Sequence, residues 1–210
     1  MAGWQSGHAA ACKAVYAGSI PASASINFMK KALFLDRDGV INIDRGYVYK
    51  KEDFIFKKEI FSIIKLANSL QYLVIIVTNQ SGIARGFYSE NDFKILMKWV
   101  VNELNKMECY IDDIFFCPFH KDGLITKYTK ESNLRKPLPG MFNLASKKFN
   151  IDLNNSILIG DNETDILAGN AAGVKTNILL NENFKKKINL PKNIIYTEIS
   201  NLLDSSNFIK

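Results

Sequence analysis

Asp36 and Asp38 stand one residue apart at the end of an apolar run, Ala32-Leu33-Phe34-Leu35, and Gly39 follows at once. Carboxylates at i and i+2 of an extended chain point to the same side. Such a pair can share one divalent cation, and one member can attack an electrophile while the cation offsets their repulsion. Gly39 lets the backbone turn away from the site. In isolation, Asp-Arg-Asp-Gly favours a solvated turn after a core strand. Three later stretches weigh against that: Thr78-Asn79-Gln80-Ser81-Gly82, Arg135-Lys136-Pro137, and Gly160-Asp161-Asn162-Glu163-Thr164-Asp165. Thr78 alone would be a strand-end cap and Lys136 alone a surface charge. Gathered at one edge of a sheet, carboxylates, a hydroxyl and a lysine suit Mg²⁺ and a phosphate, because Mg²⁺ keeps few carboxylates, several waters and a phosphate oxygen.

The elements that must position these groups follow an alternating pattern. Strands are expected over residues 31–36, 72–77, 111–117, 156–160 and 174–180, the second being a continuous β-branched run of the kind buried on both faces of a parallel sheet. Helices are expected over 58–70, where Ile60, Ile63, Ile64, Ala67 and Leu70 share a face, from the cap Ser89 to about Met107, over 140–149, over 163–172 with Gly173 as the stop, and over 198–204. Residues 118–139 read as irregular. Alternation of this kind implies an α/β fold, a three-layer sandwich around a central parallel sheet. In such sheets ligands bind beyond the carboxyl ends of the strands, which is where the four chemical stretches fall. The gaps between them are short, so no cap domain is expected over the site.

Composition sets the bounds. The 210 residues are 47% hydrophobic and 23% charged, which suits one globular domain. No stretch of roughly 18 apolar residues is present to span a membrane. The net charge of +6 comes from lysines scattered in pairs, with one triplet at Lys185, Lys186 and Lys187. This reads as solvated surface, and no nucleic-acid or membrane partner is expected. The three cysteines, Cys12, Cys109 and Cys117, form no paired framework, which fits a reducing cytoplasm. Residues 1–28 differ from the rest, being rich in Ala, Gly and Ser without period. They mimic a signal peptide at Ala22-Ser23-Ala24, but Lys13 interrupts any apolar region. Gly18-Ser19-Ile20-Pro21 is what the T-arm of a tRNA gene would encode, and Cys12-Lys13 fits the anticodon loop of a cysteine tRNA. Residues 1–28 are therefore expected to be disordered or a mis-annotated extension, with translation beginning at Met29 and the working domain spanning 29–210.

All four stretches together closely resemble the motifs of the haloacid-dehalogenase (HAD) superfamily of phosphatases. The likeness is finer than that. Residues 34–42 (FLDRDGVIN), 78–86 (TNQSGIARG), 135–141 (RKPLPGM) and 168–173 (AGNAAG) are similar to the D-glycero-D-manno-heptose 1,7-bisphosphate 7-phosphatases, with the histidinol-phosphate phosphatases as near relatives. The resemblance implies a HAD-like, Rossmann-type fold and a Mg²⁺-dependent phosphatase acting on a sugar bisphosphate in the synthesis of nucleotide-activated heptose. By this resemblance, Asp36 attacks phosphorus to form an aspartyl-phosphate, and Asp38 protonates the leaving oxygen and then activates water. Mg²⁺ sits on the Asp36 carboxylate, the Asp38 backbone carbonyl and Asp161. Thr78, Arg135 and Lys136 bind the transferring oxygens, and Asp165 holds Lys136 or a metal-bound water. Asp44, Arg45, Gly46 and Tyr47 line the substrate pocket with Asn79, Gln80 and Ser81, and Asn162 lies beside the metal.

Two departures from the family pattern stand out. Asn162 replaces the lysine or other long residue usual there. Many relatives also hold a structural Zn²⁺ through Cys-x-His and Cys-x-Cys before the lysine motif. Here Cys117 keeps the first ligand, but Phe119, Ser132 and Leu134 occupy the other three positions. Zinc is expected to be absent, because Phe and Leu donate nothing and neutral Ser is a poor ligand. Packing of Phe119 and Leu134 would then hold the loop. The alternatives left open are a histidinol-phosphate phosphatase and, given the basic chain and a TNQ-x-GI stretch, a polynucleotide 3′-phosphatase. A monomer is expected.

Overall fold

The computed structural model describes residues 29–210; the expectation for residues 1–28 lies outside the described residues. Six parallel strands form the central sheet in the order β3-β2-β1-β4-β5-β6. The first, β1 (Ala32–Leu35), sits in the middle and pairs with β2 (Leu73–Asn79) on one side and β4 (Ile157–Gly160) on the other. All four of its residues are buried because both sheet faces are covered. Its side chains alternate accordingly. Leu33 and Leu35 enter one core with α1 (Glu59–Ser69) and α3 (Glu90–Lys106), whereas Ala32 and Phe34 enter the other with α4 (Gly140–Phe149) and α5 (Glu163–Ala172). Phe34 meets Phe142 of α4 edge-on, with ring centroids 5.0 Å apart. Truncating a buried phenylalanine of this kind costs about 3–5 kcal/mol.

Local chemistry accounts for most boundaries. Ser89 caps α3 through a reciprocal capping box with Asp92. Asn162 and Asp165 form the same arrangement at the start of α5, and Gly173 ends that helix at φ +89°. The helix over 140–149 and the helix over 163–172 have their expected limits, and β3 (Asp113–Cys117) is shorter than expected by two residues. Residues 118–139 are irregular apart from a 3-10 turn at Thr126–Tyr128. None of the segments between strands builds a separate covering unit among the described residues.

Three expectations need correction. The second strand runs to Asn79, so Thr78 is a strand residue and not the first loop residue. A single helical turn, α2 (Ser81–Ala84), follows it unannounced by any period. The helix expected over 198–204 is instead the edge strand β6 (Thr197–Ile199), paired with β5 (Thr176–Leu180), followed by a 3-10 helix at Leu202–Phe208. A three-residue strand is too short to display a period of two, so its pairing is a tertiary outcome.

The chain travels outward from β1 through β2 to β3, then returns across the sheet to β4 on the other side of β1. The connections leaving β1 and β4 therefore diverge, and a crevice opens beyond their carboxyl ends. Asp36 follows β1 there, and Asp161 follows β4.

Candidate active site

The floor of the crevice is an ion network around Lys136. Its ammonium donates to Asp36 Oδ1 at 2.9 Å and to the Val77 carbonyl at 2.9 Å, and it also contacts Asp165 Oδ1. All three charged side chains are nearly excluded from solvent. Oxygens of Asp36, Asp161 and Asp165 lie within 4.8 Å of one another, a donor set that suits a hard divalent cation. Gly39 makes the close approach feasible. A Cβ on it would lie 2.3 Å from the Asp161 carboxyl carbon, and its φ of +84° already excludes most side chains. Burial pushes the Asp36 carboxyl up to about 8; Lys136 opposes that shift, and Asp165 and Asp161 add to it. Burial works against the Lys136 ammonium, but Asp165 and Asp36 outweigh it and raise its pKa. A cation arriving between Asp36 and Asp161 would relieve the first of these penalties.

Asp38 is held differently. Its carboxylate accepts from Arg37 Nε and Nη2 at 3.0 and 2.7 Å, from Asn42 Nδ2 at 3.0 Å and from Gln80 Nε2 at 3.3 Å. Arg37 is fully buried and also donates to the Val48 carbonyl. Gln80 donates to Thr78 Oγ1 at 2.9 Å and accepts from Tyr88 at 2.6 Å. One buried amide thus ties the hydroxyl of Thr78 to the Asp38 carboxylate. Sequence reasoning passed over Arg37, Asn42 and Tyr88. The signal for Arg37 was available, since a residue between two same-side aspartates must point into the core, and a buried guanidinium needs a carboxylate.

Asn79 orients the lysine motif. Its side chain accepts from Lys136 N–H and donates to the Lys136 carbonyl, both at 3.1 Å. A cavity of about 340 Å³ is lined by Asp36, Asp38, Thr78, Asn79, Arg135, Lys136, Asp161, Asn162 and Asp165, so the residues expected to act on the phosphate and hold the metal meet in one place. Lys186 also lines it. This lysine lay in what the sequence suggested was a solvated triplet, yet its Nζ donates to Asp161 Oδ2 at 2.6 Å and to the Asp161 carbonyl at 2.7 Å. Burial raises the Asp161 carboxyl pKa, and Lys186 opposes that rise.

A second cavity of about 230 Å³ adjoins Asp38 and is lined by Asp44, Gly46, Tyr47, Asn79, Gln80, Ser81 and Tyr88. The Gly46 N–H donates to Asp44 Oδ1 at 2.8 Å and closes a turn, with φ of +76° at Gly46 and +51° at Tyr47. Tyr47 is 45% exposed and packs edge-on against Phe87. Arg45 is exposed and lines neither cavity, unlike its neighbours in the expected substrate loop.

The loop before Lys136 is packed. Phe119 and Leu134 lie against the core that contains Phe34 and Phe142. The Leu124 and Ile125 N–H groups donate to the Ala84 carbonyl, and Gly140 N–H donates to that of Asn133. Cys117 is buried, and burial raises its thiol pKa. Among the described residues, the acidic trio is the one group of three or more His, Cys, Asp or Glu donors close enough to hold an ion.

Comparison with known proteins agrees with this geometry. A HAD-hydrolase-like family model matches residues 133–199. The chain is 49% identical over 150 residues to the D-glycero-alpha-D-manno-heptose-1,7-bisphosphate 7-phosphatase of Burkholderia mallei, covering 71% of this chain and 79% of that one. It is 45% identical over 151 residues to the D-glycero-beta-D-manno-heptose-1,7-bisphosphate 7-phosphatase of Vibrio cholerae, covering 72% and 81%. The crystal structure of D,D-heptose 1,7-bisphosphate phosphatase from B. bronchiseptica, complexed with magnesium and phosphate, superimposes with a TM-score of 0.73 at 27% identity, covering 84% of this chain and 96% of that one. With the acidic trio, the lysine between its members and relatives of this identity, the chain belongs to the HAD family of phosphoric monoester hydrolases, among the relatives of the heptose bisphosphate 7-phosphatases.

Proposed function

We propose that this protein removes the 7-phosphate of D-glycero-D-manno-heptose 1,7-bisphosphate. The observation that carries the reading is the Asp36–Lys136–Asp165 network at the sheet's switch point, opening on a polar cavity with a second one beside Asp38. One cavity suits the phosphate under attack and the other the sugar. Asp36 is the nucleophile and would carry the phosphoryl group as an aspartyl-phosphate. Lys136 keeps the Asp36 carboxylate oriented and draws charge from the transferring oxygens, together with Thr78 and Arg135. Asp38, steered by Arg37, Asn42 and Gln80, hands a proton to the leaving sugar oxygen and later takes one from the attacking water. Asp36, the Asp38 backbone carbonyl and Asp161 would hold Mg²⁺, which supplies charge compensation and alignment for the phosphate. Asp44, Gly46, Tyr47 and Ser81 would face the sugar, and Asn162 lines the phosphate cavity beside Asp161.

Relatives named for both anomers match at similar identity, and the exposed loop beside Asp38 is the part proposed to select at C1. The loop before Lys136 works without zinc, held by Phe119 and Leu134. The reaction belongs to the cytoplasm and to a monomer, on the route to activated heptose for surface polysaccharide; the buried free thiols of Cys109 and Cys117 support a reducing setting. No helix among the described residues is long and apolar enough to cross a membrane.

A phosphate-release panel tests the reading. It would contain both heptose bisphosphate anomers, histidinol phosphate and a 3′-phosphorylated oligonucleotide. The expected result is a kcat/KM for one heptose anomer at least roughly 100-fold above the last two substrates. Preference for histidinol phosphate, or a steep salt dependence with the oligonucleotide, would overturn it.

A further inference from the structure

The two lysines of the crevice are built for different tasks. Lys136 is almost wholly buried and shared between two carboxylates and a carbonyl, so it has nowhere else to go. Lys186 has a half-exposed side chain, and its one carboxylate partner is Asp161. Its main chain, by contrast, is pinned. The side chain of buried Asn181, at the end of β5, donates to the Lys186 carbonyl at 2.8 Å and accepts from the Lys186 N–H at 2.9 Å. The same amide donates to Glu198 of β6 at 2.6 Å. Farther along, Asn189 N–H donates to Glu163 in the first turn of α5 at 2.6 Å. The strap that carries Lys186 is therefore fixed at both ends over the end of β4, while the ammonium is free to swing on its four-carbon stem.

Where it can swing is also on view. Lys186 lines both the 340 Å³ cavity with Asp36 and Thr78 and a neighbouring cavity of about 690 Å³ bordered by Lys57, Lys58 and Lys185 and by Asp44, Glu59 and Glu182. It stands in the wall between them. A divalent cation on Asp161 and an ammonium 2.6 Å from the same carboxylate repel one another, with the half-exposed ammonium only partly screened by solvent. A phosphate in the 340 Å³ cavity offers a displaced ammonium a charge-assisted hydrogen bond that restores the lost pairing, in competition with Asp44, which lines both cavities.

We propose that Lys186 is an exchangeable cation: it holds Asp161 while no divalent metal is bound, and it passes to a phosphate oxygen of the substrate once the metal takes Asp161. This rests on the reading of Asp161 as a metal-holding residue given above. Lys186 is then a substrate-binding residue, and the metal-free site carries its own substitute charge. Metal and substrate are coupled through it, because metal binding frees the group that the phosphate needs.

The test uses the full chain and probes that need no sugar. Mg²⁺ is titrated by calorimetry into metal-free wild type, Lys186→Gln, Lys186→Arg and Asp161→Asn, and inorganic phosphate is then titrated at saturating Mg²⁺. Lys186→Gln should bind Mg²⁺ roughly 3–10-fold more tightly than wild type, because its competitor is gone. It should bind phosphate roughly 5–10-fold more weakly. With p-nitrophenyl phosphate the loss should fall on KM and leave kcat within about twofold. Lys186→Arg should restore phosphate binding. The strap is held by main-chain bonds, so the melting temperature of metal-free Lys186→Gln reports whether the fold is intact. Unchanged Mg²⁺ affinity or unchanged phosphate affinity in Lys186→Gln would overturn the exchange. Asp161→Asn separates the two levels: if it binds Mg²⁺ as wild type does, the assignment of the metal site fails first, and the exchange with it.

Discussion

The floor of the crevice and the loop at its rim are constructed on opposite principles. Asp36, Lys136 and Asp165 are buried, mutually paired and anchored at strand ends and the first turn of α5. Asp44, Gly46 and Tyr47 are exposed, held by one turn and one aromatic contact, and two of them have positive φ. Buried charge tolerates little displacement, because separating the partners leaves a desolvated ion that costs several kcal/mol. An exposed turn can change residues for a fraction of that. On the proposed function, reaction chemistry falls to the floor and substrate choice to the rim.

The largest effect that would break this contrast is on the floor. Asp36→Asn should abolish phosphate release, since an amide is no nucleophile here, and wild-type turnover in that variant would disprove the covalent route. The same variant tests the electrostatics. The Asp36 carboxyl is raised from 3.8 to about 8 by burial, so the folded protein holds this proton more tightly than the unfolded chain does. Its contribution to stability is fully present below the unfolded pKa and is lost as pH rises through the folded value. Metal-free wild type should thus lose melting temperature as pH rises from about 4 through about 8, and Asp36→Asn should show a shallower decline over that range. Melting curves in EDTA across that range decide it.

A pair of glycines sharpens the comparison at intermediate scale. Gly39→Ala drives a Cβ into the Asp161 carboxylate, whereas Gly46→Ala meets nothing within 4 Å. Both have positive φ, so both bear a backbone strain of about 1–2 kcal/mol. Only Gly39→Ala should also weaken Mg²⁺ binding, by roughly 10-fold or more; equal metal affinities measured by calorimetry in the two variants would erase the distinction. The smallest effect is expected at the rim. Tyr47→Ala should raise KM for the preferred substrate roughly 3–10-fold with kcat and melting temperature little changed. Steady-state kinetics on the two anomers would show whether the loss is anomer-dependent.

Much of the floor was legible in the chain alone. The paired aspartates after an apolar run, Thr78 ending a β-branched run, Arg135-Lys136 before a helix and the acidic residues after Gly160 each announce a strand end or helix start, because those boundaries depend on local chemistry. The parallel α/β architecture follows from the same alternation. β6 was not legible, since a three-residue edge strand is defined only by the partner it meets. Arg45 lines neither cavity although its neighbours do, because adjacency in a turn does not place every side chain alike.

The sequence by itself determined the chemical groups, their order and the strand ends that present them. Tertiary structure alone decided that Gln80 would tie Thr78 to Asp38 and that Lys186 would reach Asp161 from 25 positions away. Local rules act over one turn or one strand. Pairings across the crevice depend on how separate elements come to rest against one sheet, and no local period records that.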